Sequence, residues 1–176
     1  MASKVLDRYE DFFNEKCTRN ESNTDDYDYN CGGYALKTFS WYCPYEFDED
    51  THPYDSNLDW MESLLYQNGL TIEEATEEIL WGNVNKMLED FAEKLRVVQK
   101  DEHLKADEEL IAYRLSVMKD EKWVEEMDFH YAVFREGKWK HKLGRDKIRP
   151  FKFTEESWET SYFIYNSPIV YLAHKI

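Results

Sequence analysis

Asp128-Phe-His-Tyr-Ala-Val-Phe-Arg-Glu-Gly-Lys-Trp-Lys-His-Lys-Leu-Gly144 reads as a β-hairpin. Phe129 to Phe134 is rich in aromatic and β-branched residues, which suit a pleated, half-buried surface. Glu136-Gly137 supplies a two-residue turn, with Gly free to take positive φ. That loop places Arg135 opposite Lys138, Phe134 opposite Trp139 and Ala132 opposite His141. Alternation then puts His130, Ala132, Phe134, Trp139 and His141 on one face. His130 and His141 become diagonal neighbours, roughly 7–8 Å apart at the backbone. Ala132 leaves room between them. A loop one residue longer would turn one imidazole away, so the reading depends on register. Two such rings suit a base and its orienter, an acid and a base, or a metal pair. The plainer reading is two polar residues on a half-exposed sheet.

Working outward, 176 residues suffice for a single domain, 1–176, with a real core. A net charge of -15 argues against a generic nucleic-acid or membrane-surface binder. No apolar run approaches the ~20 residues of a membrane span, and the first residues lack a signal-peptide core. Three cysteines, an odd number, do not suggest a secreted disulfide framework. A cytoplasmic protein is expected. Charge is uneven: no Lys or Arg lies between Lys37 and Lys86, an interval with eleven acids from Glu46 to Glu78. Eight bases between Arg135 and Lys152 face only Glu136 and Asp146. The two regions either neutralise each other across the fold, stand as solvated faces, or form an anion site.

Helical spacing predicts a first helix over 4–16, then a polar loop over 18–29. A short helix is expected from Cys31, with Asn30 as N-cap and Tyr34, Ala35, Leu36 and Phe39 following. Pro44 and Pro53 punctuate an irregular stretch to about residue 56. Residues 57–67 predict a helix with Leu58, Met61, Leu64 and Leu65 on one side and Asn68-Gly69 as its stop. Thr71 to Glu74 is a capping box opening a longer helix, which Gly82 is positioned to break. Leu95 to Gln99 is a last turn or a short strand. A strand over 109–118 precedes the hairpin. A basic, irregular stretch follows it to about residue 152, and strands over 161–165 and 169–173 flank Asn166-Ser-Pro168. Helices first and a mostly antiparallel sheet second define an α+β domain.

Cys31 is the remaining reactive group of interest. Asn-Cys-Gly-Gly-Tyr-Ala-Leu sets a thiol at a helix start, where dipole and free N–H groups favour a thiolate. Gly32 and Gly33 would leave the backbone open to a substrate. The ordinary alternative is a buried packing residue.

Asn30-Cys31-x-x-Tyr34-Ala35-Leu36, followed by Asp128-Phe129-His130 and Gly137-x-Trp139-x-His141-Lys142-x-Gly144, resembles small bacterial and phage members of the papain-like cysteine hydrolase superfamily. The resemblance implies Cys31 as nucleophile, His130 as base and His141 as orienter, with residues 44–108 a mainly helical insertion. No Asn or Asp occupies the third position, so His141 or nearby Asp146 must serve. Asp128 is a further possible holder of a His. Gly32, Asn30 and Trp139 are candidates for the substrate and oxyanion surroundings, with the backbone N–H of Cys31 as donor. The implied chemistry is acyl transfer at a peptide or amide bond of a peptide or protein substrate, in a bacterial cell or phage-infected host.

Two other readings compete. In a metal-independent ribonuclease, His130 and His141 would be acid and base, with Lys140, Lys142 and Arg145 holding phosphate. An acidic decoy would use the base-free stretch to occupy a nucleic-acid-handling protein. Cys17 and Cys43 read as packing residues. His52, His103 and His174 stand apart without ligand spacing, and there is no phosphate-binding glycine loop, so neither metal nor cofactor is expected. Trp123, Trp139 and Trp158 read as core or sheet-face residues.

Overall fold

The computed structural model describes residues 29–44, 57–116, 127–144, 146–160 and 163–176. The helix expected over 4–16 lies outside the described residues, as do Cys17, His52, Trp123, Arg145 and the acids from Glu46 to Asp55. Among the described residues three α-helices come first: α1 (Cys31–Ala35), α2 (Asn57–Glu62) and α3 (Ile72–Asp90). Strands follow: β1 (Leu95–Val98), β2 (Glu108–Leu115), β3 (Phe129–Arg135), β4 (Lys138–Lys142), β5 (Ile148–Pro150), β6 (Trp158–Glu159), β7 (Ile164–Tyr165) and β8 (Val170–Lys175). Six form one sheet in the order β1-β8-β2-β3-β4-β5, and β6 and β7 form a separate ribbon. All these pairings are antiparallel, so the α+β class holds.

The β3–β4 register is the one the turn dictates: Arg135 faces Lys138, Phe134 faces Trp139 and Ala132 faces His141. Glu136 and Gly137 both have positive φ, 56° and 75°, the backbone a tight two-residue hairpin needs. Residues 148–150, expected to be irregular, pair with β4 and extend the sheet. The ambiguous segment from Leu95 becomes β1, its Val97 and Val98 paired with Leu172 and Tyr171 of β8. The two closing strands do not pair with each other. β7 pairs with β6, whereas β8 enters the large sheet between β1 and β2.

Helix α3 begins as its capping box requires, with Thr71 Oγ1 accepting from the Glu74 N–H at 3.2 Å and donating to Glu74 Oε1 at 2.9 Å. It runs unbroken through Gly82, where a Cβ would overlap the Trp60 indole. The glycine therefore serves close packing of α2 on α3 and not a break. A π-helical turn, Ser63–Gln67, extends α2 to Asn68, and Gly69 (φ 66°) reverses the chain. Asn57 and Asn83 exchange two amide hydrogen bonds of 2.9 Å, and the Tyr113 hydroxyl donates to Asn83 Oδ1. This satisfied polar knot ties both helices to β2.

The sheet carries a core on each face. Ile79, Leu80, Val84 and Met87 of α3 pack with Ile111, Tyr113, Tyr131, Val133 and Leu172 on one face. On the other, Ala112 and Ala132 accommodate Phe151, Trp158 and Tyr165. Period two thus separates Phe129, Tyr131 and Val133, toward the helices, from His130 and Ala132, toward the β6–β7 side.

Candidate functional site

Asn30 caps α1 as its sequence predicts. Its Oδ1 accepts from the Gly33 N–H (3.0 Å) and the Tyr42 N–H (3.1 Å), and its Nδ2 donates to the Tyr42 carbonyl (2.7 Å). Its amide is thereby committed to folding residues 38–42 back over the helix rather than to a substrate. The glycines serve the same end. A Cβ on Gly32 would stand 3.1 Å from both the Tyr131 ring and the Tyr42 carbonyl oxygen, and one on Gly33 would overlap the Ser40 carbonyl. The expected open backbone is therefore closed by the chain's own return, where Lys37 and Phe39 both take positive φ. Gly33→Ala should destabilise the protein by about 3 kcal/mol, the upper end for overpacking, because backbone and not a flexible side chain must move. A urea midpoint unchanged from wild type would refute this.

Cys31 occupies the first position of α1 and is 5% exposed. Backbone N–H groups of Tyr131 and Gly32 point to its sulfur and favour the thiolate, but burial pushes the thiol well up, and the Asp128 carboxylate adds to this. The expected dipole activation is overturned for a physical reason: α1 is five residues long and wholly buried, so desolvation exceeds what its end can supply.

His130 and His141 are brought together. Nε2 of His130 lies 2.9 Å from Nδ1 of His141, with the rings at 85° to one another. They are 2% and 1% exposed. Tyr165 stacks on His130 at 5.2 Å between centroids, the Trp158 edge meets it at 6.2 Å, and Phe151 lies 4.9 Å from His141. Burial lowers the His130 pKa to about 3. Burial, then His130 and the Arg149 cation, hold His141 well below its ordinary value. Both rings are neutral at pH 7, so one donates and the other accepts.

The thiol and the rings approach from different directions. Helix α1 packs on the Tyr131 side of the sheet, and the imidazoles lie on the other. Helix α1 packs against β3 and β4, so the thiol at its first position lies toward the margin of β3, where the Tyr131 N–H favours its thiolate. This is one residue from His130, just beyond the last β3–β4 pair at Ala132 and His141. The Asp128 carboxylate, on the same strand face as His130, is among the groups that raise the Cys31 thiol.

Other candidates have structural partners. Trp139 stacks on Phe153 at 4.3 Å between centroids and 14° between planes. Asp146 pairs with Arg149 at 3.4 Å, leaving His141 as the partner of His130. Asp128 accepts from the Tyr165 hydroxyl at 2.6 Å. Within the basic strip, Arg135 pairs with Glu109 and Lys140 with Glu136. Lys142 is buried, its Nζ on the Gly144 carbonyl and 4.8 Å from the Tyr29 ring centroid. Glu73, Glu74, Glu77 and Glu78 are exposed on α3. Cys43 is buried, and His174 packs edge-on to Phe91.

Sequence reasoning missed Tyr165 and Arg114. An arginine inside the apolar run of β2 was a visible signal. Among the described residues no three His, Cys, Asp or Glu side chains converge as a metal site requires, and no helix is long and apolar enough to cross a membrane. No family model, curated protein or solved structure matches the chain.

Proposed function

We propose that Cys31, His130 and His141 form the acyl-transfer centre of a papain-like cysteine hydrolase acting on peptide or amide bonds. The observation that carries this reading is the 2.9 Å bond between His130 Nε2 and His141 Nδ1. When His130 donates through Nε2–H, its Nδ1 keeps a lone pair, the form a thiol's base must have. The packing of α1, which begins at Cys31, against β3 and β4, which carry the two imidazoles, supports the same assignment.

With thiol and imidazole both neutral at rest, proton transfer accompanies attack. The Cys31 sulfur bonds to the carbonyl carbon as its proton passes to His130 Nδ1. The resulting oxyanion faces the Cys31 N–H, which has no partner of its own within the helix. Collapse breaks the C–N bond, and the amine leaves with the proton from His130. Water, deprotonated by His130, then attacks the thioester and releases the acid and the thiol. His141 holds the ring through both steps. The ribonuclease reading draws less support, since Lys142, one of its phosphate-holding residues, is buried with its Nζ on the Gly144 carbonyl.

The test is a peptidyl vinyl sulfone with mass-spectrometric mapping. Cys31 should be labelled, and His130→Ala should slow labelling by about 10²-fold or more, the usual worth of a positioned base. Labelling of Cys31 that ignores His130, or that matches Cys43 in rate, would refute the assignment.

A further inference from the structure

We propose that Arg114 is a positioning residue that clamps the β6–β7 ribbon over His130, so that the ribbon's aromatic side chains fix the imidazole and shield it from bulk solvent. This rests on the thiol–imidazole reading for its catalytic meaning, though not for its geometry.

Arg114 on β2 is the cross-strand partner of His130 on β3, so both emerge on the same face. It is 4% exposed. A buried cation ordinarily sits against a carboxylate. Here Nε donates to the Ser167 carbonyl at 2.8 Å and Nη1 to the Glu156 carbonyl at 2.5 Å, while the guanidinium lies 5.2 Å from the Trp158 ring centroid. Those two carbonyls bracket the ribbon: Glu156 just precedes β6, and Ser167 just follows β7. One planar fork therefore grips both ends of the segment that delivers Trp158 and Tyr165 to the His130 ring.

The ribbon needs such a grip. It consists of two residue pairs, Trp158 with Tyr165 and Glu159 with Ile164, and a two-stranded ribbon of this size is not stable alone. Its other anchors among the described residues are a bridge from Ser116 to Tyr165, the exchange between Ser167 and Leu115, and the Tyr165 hydroxyl on Asp128. Arg114 is the anchor that reaches both flanks of the ribbon from beside His130.

The test follows His130 by ¹⁵N NMR of histidine-labelled protein, which requires no turnover. The charged and titratable groups around it are His141 on β4 with Arg149 beside it on β5, Arg114 on β2, Tyr165 on β7 and Asp128 before β3. In wild type the ring should stay neutral as pH falls, until it nears its depressed value of about 3. In Arg114→Met the loosened ribbon admits water, and the midpoint should move toward the ordinary ~6.5. Arg114→Lys has one donor head where Arg spans two carbonyls. It should shift the midpoint by about one pH unit, and it decides the matter if the Met variant does not fold. Vinyl sulfone labelling of Cys31 should fall in the same order. Folded variants whose His130 titrates as in wild type would overturn the clamp. A shifted titration with Cys31 labelling indifferent to His130 would retain the clamp and overturn the hydrolase.

Discussion

Arg135→Met is expected to lower stability by about 3–5 kcal/mol, the cost of leaving one member of a buried ion pair alone. Arg135 Nε lies 2.9 and 3.1 Å from the Glu109 carboxylate oxygens, and both side chains are about nine-tenths buried. The same guanidinium donates to the Tyr34 and Ala35 carbonyls at 3.3 Å and lies 4.7 Å from the Tyr34 ring centroid. Methionine would fill the volume but leave the carboxylate with only Lys37, 3.7 Å away, and orphan the end of α1. The double variant Arg135→Met, Glu109→Gln should recover much of the loss, because the uncompensated charge goes too. Urea unfolding of the single and double variants checks this. A single-variant loss below about 1 kcal/mol would mean that the pair is effectively solvated. Since α1 carries Cys31, labelling of that thiol should also change in the single variant.

Acid should destabilise the fold well before its carboxylates titrate. In the unfolded chain both imidazoles take a proton near pH 6.5. In the native protein His130 does so only near pH 3, and His141 is likewise held well below its ordinary value. Between these limits the unfolded state binds more protons, so stability present above ~6.5 is lost as pH falls. Two buried rings give a loss of about 3–4 kcal/mol between roughly pH 7 and pH 5. Glu108, lowered to about 2 chiefly by its hydrogen bonds with Arg96, adds a further loss only below the ordinary carboxylate range. Urea midpoints across this interval should fall steadily, and His141→Gln should roughly halve the slope. A flat profile would show that the rings are protonated or hydrated in the native state.

The hairpin was legible because its determinants are local. A two-residue turn fixes the register, and alternation then assigns every side chain from His130 to His141 to a face. Thr71 and Glu74 announced α3 for the same reason. What failed depended on distant chain. Gly32 and Gly33 read as openings, but residues 38–42 return over them. The Cys31 thiol sits at a capped helix start as expected, yet local sequence does not tell how completely Tyr29, Tyr131 and their neighbours cover it. The basic residues from Arg135 onward suggested a field, whereas Arg135, Lys140 and Arg149 each have a carboxylate of their own in Glu109, Glu136 and Asp146. Arg114 was passed over because a strand pattern records polarity without naming the carbonyls that a guanidinium will reach.

The seat of β8 between β1 and β2 bears on how fast the molecule assembles. The β3–β4 hairpin can close in microseconds, but β1 meets its partner only after a strand from far along the chain has threaded into the middle of the sheet. Refolding should therefore take milliseconds to seconds, with the hairpin formed long before the sheet is whole.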